Sequence, residues 1–226
     1  MIAVFERRWK RKMKKILFIL LALMLLAGCA GIPVREALKE NTGIPAGKIE
    51  GNQFAGVRYP FKVSALSHWK VTMEFPDFLE EMGYDRPSAM DKEQTELYIF
   101  NPETKSSIQF DFTPAGRYSV FSQEGIERLT TNATGSFKEE LEKELGKEVQ
   151  PEIGPTTPYP LKGVQYAAKK YATYTVKGIK REQGWIYAFS EPYQIFILYQ
   201  VIEKGGADDR QDIKKILDSF EVFSKK

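Results

Sequence analysis

Cys29 is the only cysteine among 226 residues. With a single thiol, no intramolecular disulfide, CxxC redox pair or cysteine-based zinc site can form within the chain. The folded part has to be held by packing alone. The position of the cysteine constrains the chain as much as its number. The string Leu26-Ala27-Gly28-Cys29 closes an apolar run of 11 residues, Ile16 to Leu26. That run follows a basic block made of Arg7, Arg8, Lys10, Arg11, Lys12, Lys14 and Lys15. A spanning helix needs about 20 apolar residues, so this run is too short for one. It has the length of the h-region of a secretory signal. Met13-Lys14-Lys15-Ile16 makes a good start of its own, which marks the residues before Met13 as an extension.

Leu26-Ala27-Gly28-Cys29 resembles the lipobox of bacterial lipoproteins. The resemblance implies that residues 1–28 are a signal peptide, with Leu26, Ala27 and Gly28 forming the signal-peptidase recognition string. It implies a diacylglycerol on the Cys29 thiol, and an acyl group (palmitate, for example) on the new N-terminus. The expected address is a cell membrane or outer membrane, with the protein facing the periplasm or exterior. Where two membranes exist, Ala30 rather than Asp after the cysteine leans toward the outer one.

Removing the leader reverses the apparent charge. The whole chain carries 33 basic and 30 acidic residues for a net +3, but residues 1–28 hold seven of the basic residues and one of the acidic. The remaining 198 residues have a net charge near −3. Basicity therefore gives no ground for a nucleic-acid partner. Residues 29–57 are rich in small and polar types, including Gly31, Pro33, Gly43, Pro45, Gly47, Gly51 and Gly56. They are expected to form a flexible tether with a root-mean-square span of about 30 Å. Residues 58–226 are expected to form a single α+β domain. A domain of this size can bury roughly 70% of the surface its unfolded chain exposes.

Hydrophobic periodicity places the elements of that domain. Trp69, Val71, Met73 and Phe75 alternate with polar residues as in a half-buried strand. Phe78, Leu79 and Met82 suit a helical turn. Leu97–Phe100 and Ser107–Thr113 flank the turn residues Asn101-Pro102-Glu103, which predicts a hairpin. Ile126, Leu129, Ala133, Phe137, Leu141 and Leu145 share one helical face, so Ser122 to Leu145 is expected to be a long helix. Ser122 suits its N-cap and Gly146 its C′ position, and Glu139 to Lys143 makes an i,i+4 pair. After a proline-rich loop come strands at Val164–Val176, Gly184–Ser190 and Tyr193–Val201. The last has apolar residues on both faces, as expected of a central strand covered on both sides. A helix over Asp208–Ser219 closes the chain. Short connections favour antiparallel pairing, with helices packed on a mainly antiparallel sheet.

The closing strand Tyr193-Gln194-Ile195-Phe196-Ile197-Leu198-Tyr199 leads into Ile216-Leu217-Asp218-Ser219-Phe220-Glu221-Val222. This ending, with the opening Tyr59-Pro60-Phe61 and Trp69, resembles PsbP-like domains and their Mog-type relatives over about residues 58–224. The resemblance implies an α/β/α sandwich around an antiparallel sheet. It also implies a binding or assembly role, since members bind photosystem proteins or a small GTPase. No binding residue of that family has a matching motif here. The long Ser122–Leu145 helix and the proline-rich loop after it depart from the common pattern.

Chemistry is sparse. His68 is the sole histidine, at a strand edge, and a hydrogen-bonded structural role suits it better than catalysis or zinc ligation. Asp208, Asp209 and Asp212 are the nearest approach to a calcium cluster, and helix capping accounts for them. No catalytic, metal-binding or cofactor-binding residue is assigned. Glu74, Asp77, Glu80 and Glu81 lie near a strand end, where paired carboxylates could cleave glycosides, although an ordinary solvated edge explains them far better. Tyr159, Tyr166, Tyr171, Tyr174, Tyr187, Tyr193 and Tyr199 are candidates for an amphipathic groove. The leading expectation is a lipid-anchored, non-catalytic binding or assembly module of the bacterial envelope. Its partners would be the membrane and an envelope protein, with no cofactor beyond the lipid on Cys29 and no nucleic acid. The alternatives are a carrier or receptor for a small apolar envelope ligand, and an envelope hydrolase that uses carboxylates.

Overall fold

Alternating apolar residues set the strands of this chain. A computed structural model describes residues 43–82, 86, 95–116, 120–204 and 208–223. The leader, Leu26 to Cys29 and most of the expected tether lie outside the described residues. Apart from Gly116 and Val120, the described residues belong to one compact unit. The α+β class holds, with two sheets and three helices among the described residues.

A small sheet comes first. Strand β1 (Gly47–Glu50) pairs with β2 (Gln53–Gly56), and β2 pairs with β3 (Phe61–Ser64). These pairings correct the expected boundary at Arg58. Residues 47–56 are part of the fold, because Phe54 is buried and stacks near Phe61 at 5.0 Å. Gly51 makes the tight turn between the strands at φ 59°, a conformation glycine adopts without steric cost.

The large sheet has the order β4-β5-β6-β11-β10-β9-β7, with β8 also paired to β9. Strand β4 (Lys70–Thr72) is shorter than the alternation from Trp69 to Phe75 predicts. Helix α1 (Asp77–Glu81) follows it. Strands β5 (Thr95–Phe100) and β6 (Ser107–Pro114) form the expected hairpin. Helix α2 (Gln123–Leu145) comes next, and β7 (Glu152–Ile153) and β8 (Thr157–Pro158) sit in the proline-rich loop. Then β9 (Tyr166–Val176), β10 (Ile179–Ser190) and β11 (Tyr193–Ile202) run antiparallel in sequence. Strand β11 lies between β6 and β10, as its two apolar faces predict. Helix α3 (Asp209–Ser219) leads into β12 (Glu221–Val222), which pairs with β3 and closes the small sheet.

The two faces of the large sheet are buried by different partners. Leu97, Ile99, Phe110, Phe112, Ile186, Ile195 and Ile197 pack against Phe54, Phe61 and Val63 of the small sheet and Ile213, Ile216 and Leu217 of α3. On the opposite face, Phe137 and Leu141 of α2 meet Ala172, Tyr174 and Trp185, and Ile126 meets Ala168 and Phe189. The Trp185 indole N–H donates to the Thr130 carbonyl at 2.9 Å, fastening α2 to β10.

Helix α2 is capped as the sequence predicts. Ser122 is its N-cap and its hydroxyl accepts from the Gly125 N–H at 3.1 Å, while Gly146 at φ 92° ends it. Removing that acceptor with Ser122→Ala should cost about 1 kcal/mol. In a domain of this size that lowers the melting temperature by about 2–4 °C. Thermal unfolding followed by circular dichroism measures it, and an unchanged midpoint would mean the helix end does not depend on its cap.

Candidate functional site

The structure disperses most of the polar residues that the sequence singles out. His68 Nε2 sits 2.8 Å from Asp212 Oδ2 at an exposed position, and the Trp69 indole donates to the same carboxylate oxygen at 3.4 Å. Lys215 donates to the other oxygen at 3.1 Å. Asp208 accepts from the Arg210 backbone N–H as the α3 cap. Asp209 is buried, accepting from Asn101 Nδ2 at 3.1 Å and from the Thr104 hydroxyl. The three aspartates thus serve three different contacts, and among the described residues no group of three or more acidic, histidine or cysteine side chains could hold a metal.

The carboxylates near the strand end make no direct contact with one another among the described residues, although Glu74, Asp77 and Glu81 line one cleft. Arg86 donates to Asp77 Oδ1 and to Glu80 Oε2, both at 2.7 Å, tying them together. Glu74 and Glu81 are exposed. Nor do the tyrosines form one groove. Tyr166, Tyr174 and Tyr187 lie on the face covered by α2. Tyr159, Tyr193 and Tyr199 lie on the other face with the small sheet. Alternation along one strand fixes which residues share a face, but not which layer covers that face.

A cleft of about 860 Å³ opens where α1 crosses the outer face of β4 and β5. The aromatic side chains of Phe75, Phe78, Tyr98 and Phe100 line it, with Met73 half exposed at its rim. Phe75 meets Tyr98 edge-on at 5.9 Å, and Phe78 meets Phe100 at 5.1 Å. Lys70 and Lys105 line the cleft near Phe100, the residue opposite Lys70 in the β4–β5 register. Neither lysine has an ion pair or side-chain hydrogen bond among the described residues. The Lys105 ammonium lies 5.5 Å from the centre of the Phe78 ring, and the Arg86 guanidinium 5.6 Å from that of Phe75.

The β5–β6 turn sets the position of Lys105. Its N–H donates to the Asn101 carbonyl at 2.9 Å and its φ is 69°. A non-glycine residue in the left-handed region is uncommon and is held there by its surroundings. The surroundings here are the buried bonds from Asn101 and Thr104 to Asp209, which fasten the turn to α3.

Two further charged groups are shielded by the fold, Glu96 fully buried and Lys169 half-buried. A register shift between Thr95 and Leu97 accompanies the burial of Glu96, which is 0% exposed. Its Oε1 lies 3.3 Å from Arg58 Nη1, and its Oε2 has no partner among the described residues. Burial pushes this carboxyl up to about 7, with the Arg58 charge opposing the shift and Asp111 adding to it. On the same face of the sheet, the Lys169 ammonium lies 4.8 Å from the Tyr199 ring centre and 5.3 Å from that of Tyr159. Burial lowers the affinity of Lys169 for its proton, and Glu182 partly restores it. Burial likewise pushes the Tyr159 hydroxyl up to about 12. Tyr199 donates to Glu182 at 3.0 Å and Arg210 donates to the other Glu182 oxygen at 2.9 Å. Gly184 is required beneath this cluster, since a Cβ there would overlap the Tyr199 ring.

Comparisons with known proteins bear on the fold. No protein-family model matches the chain, and no curated protein does. Among solved structures it is similar to the solution structure of cyanobacterial PsbP (CyanoP) from Synechocystis sp. PCC 6803. That likeness has 11% identity and a TM-score of 0.47, and covers 83% of this chain and 99% of the other. A crystal structure from Bacteroides thetaiotaomicron aligns at 9% identity and a TM-score of 0.46, over 78% of this chain and half of that one.

The aromatic-walled cleft described above holds lysines with no paired carboxylate among the described residues. It draws on residues from 70 to 105 across a strand, a helix and a turn, and no single sequence window displays it. The one available signal was the chain of apolar residues continuing past the end of β4, through Met73 and Phe75 to Phe78.

Proposed function

We infer that this chain is a lipid-anchored, non-catalytic binding or assembly module of a bacterial cell envelope. The observation that carries the reading is Leu26-Ala27-Gly28-Cys29 at the end of a basic and then apolar leader. Support also comes from the PsbP-like pattern of Tyr59-Pro60-Phe61, Trp69 and the residues from Tyr193 to Val222. In this reading the leader is removed before Cys29, the thiol carries diacylglycerol, and the folded unit works just off the membrane surface. With residues 47–56 built into the small sheet, the tether shortens to the residues between Cys29 and about Ala46. The polar clusters on His68, Asp209 and Glu182 each fasten one element to another, and this suits a binding scaffold better than an active site.

Replacing Cys29 with Ala in the full chain should block processing. The chain should accumulate as a slower-migrating precursor, and metabolic labelling with a palmitate analogue should be lost. Unchanged size and unchanged labelling would overturn the anchor. Crosslinking on intact cells, followed by capture of the wild-type chain, tests the assembly role. A recurrent envelope protein, absent from the Cys29→Ala capture, is the expected result. Repeated recovery of no specific partner would count against it.

A further inference from the structure

We propose that the cleft between α1 and strands β4 and β5 binds a small amphipathic anion, an apolar chain ending in one carboxylate or phosphate. The inference goes beyond the assembly role and does not depend on it. Volume is the first ground, since 860 Å³ lies within the range of about 300–1,000 Å³ typical of small-molecule sites. Its lining is the second. Phe75, Phe78, Tyr98 and Phe100 supply apolar contact area, and Met73 stays 44% exposed at the rim. An exposed methionine beside aromatic walls is an adaptable surface for an alkyl chain.

Charge decides the headgroup. Six charged residues line the cleft: Lys70, Lys105, Arg86, Glu74, Asp77 and Glu81. Arg86 is paired with both Asp77 and Glu80, so the lining leaves two lysines and two glutamates, Glu74 and Glu81, and the placement of charge rather than its sum matters. Lys70 and Lys105 remain without a carboxylate among the described residues, both beside Phe100. The contact of Lys105 with the Phe78 ring is worth only about 0.5–1 kcal/mol where solvent reaches it. A carboxylate or phosphate reaching either ammonium would gain a charge-assisted hydrogen bond as water leaves the cleft. Glu74 lies beyond Thr72, at the end of β4 opposite Lys70, so repulsion there would turn the headgroup toward the lysines. A cationic ligand fits less well. The Phe78 and Phe75 faces that would attract it already carry Lys105 and Arg86.

The site also costs little to organise. The left-handed turn at Lys105, anchored through Asn101 and Thr104 to buried Asp209, holds one lysine in place before any ligand arrives. Pre-organisation of this kind lowers the ordering cost of binding.

Photolabelling tests the proposal on the full chain held in an amphipathic polymer. The probe is dodecanoate carrying a photoreactive diazirine, and digestion followed by mass spectrometry locates the adducts. Adducts are expected in the peptides spanning 70–82 or 95–105. Excess dodecanoate or dodecyl phosphate should suppress them, and the stronger competitor identifies the headgroup as carboxylate or phosphate. Dodecyltrimethylammonium should not suppress them. The Lys70→Gln/Lys105→Asn variant should lose about tenfold in labelling, equivalent to 1.4 kcal/mol, while Lys138→Gln on α2 should lose none. Asparagine is chosen at 105 because it tolerates the left-handed region. If the double variant fails to fold, Lys70→Gln alone should still lower labelling about threefold. Adducts confined to the leader, equal labelling of a folded double variant, or equal competition by the ammonium amphiphile would each overturn the site. Partner capture by the anchored chain is read separately, and neither result decides the other.

Discussion

Phe61→Ala should destabilise the folded unit by about 3–5 kcal/mol, the range for deleting a fully buried phenylalanine. Phe61 is 0% exposed and sits where three elements meet. Its ring stacks on Phe112 at 4.5 Å with an interplanar angle of 18°, lies 5.7 Å from Phe220 after α3, and 5.0 Å from Phe54 on β2. Truncation would open a cavity lined by rings from both sheets. Those rings are fixed by their own strands and can close it only in part. Equilibrium urea unfolding of wild type and variant measures the loss. Phe223→Ala, at a 40% exposed position, should stay within about 0.5 kcal/mol. Hydrogen exchange supplies a second reading, because Phe54 and Phe61 hold the β1–β2 hairpin onto the core. Amides of Gly47 to Gly56 should exchange much faster in Phe61→Ala, well before those of β9 to β11. A loss below about 1 kcal/mol would mean that the small sheet is not packed on the large one as described.

That hairpin also shows where sequence reading stops. Seven glycines and prolines between Gly31 and Gly56 carry the composition of a linker, and within residues 47–56 only Ile49 and Phe54 are large and apolar. Two apolar residues cannot establish a period, so the strand character of 47–56 arises from pairing with β3. Strand β12 is illegible for a related reason. It has two residues, and its existence depends on the position of β3 some 160 residues earlier in the chain. By contrast, α2 and α3 were plain. Their apolar residues recur at helical spacing over 23 and 11 residues, and Ser122 and Asp208 cap them as their side chains suggest. The β5–β6 hairpin was plain as well, because Asn101 and Pro102 mark its turn.

The cleft was legible only in pieces. Glu74, Asp77 and Glu81 stood out for their charge, and they do line it, but in a role unlike paired catalysis. Lys70 and Lys105 did not stand out. A lysine on a short edge strand and a lysine in a turn are ordinary surface residues until the strand, the turn and α1 come together around Phe78 and Phe100. Glu96 was hidden in a different way. Thr95-Glu96-Leu97-Tyr98 looks like a strand with its acid facing water, and only a shift of register turns that side chain inward. A single irregularity in the ladder therefore converts a routine surface residue into a buried carboxyl that is pushed up to about 7.

Glu96 should make the stability of the domain depend on pH in the reverse of the usual carboxylate sense. Its carboxyl is pushed up to about 7 in the fold by burial, whereas in an unfolded chain it titrates near 4.3, an ordinary glutamate value. Between those values the folded state holds a proton that the unfolded state has released. Stability from this group is therefore greatest below the unfolded value and falls as pH rises toward 7, by up to about 3 kcal/mol. The other charges that bear on it are Arg58, which opposes the shift, and Asp111, which adds to it. Arg58 does not offset the burial cost because it reaches only Oε1, at 3.3 Å, and leaves Oε2 without a donor among the described residues. Glu96→Gln replaces the titrating group with a neutral amide of the same length. The variant should lose about 1 kcal/mol at pH 5 and exceed wild type by about 1–2 kcal/mol at pH 8, so that the difference between the two changes by about 2–3 kcal/mol across the window. Urea unfolding at pH 5, 6, 7 and 8 measures both curves. Parallel curves would place the Glu96 titration well below neutrality, which requires that its second oxygen find a donor and that the buried pair be fully satisfied.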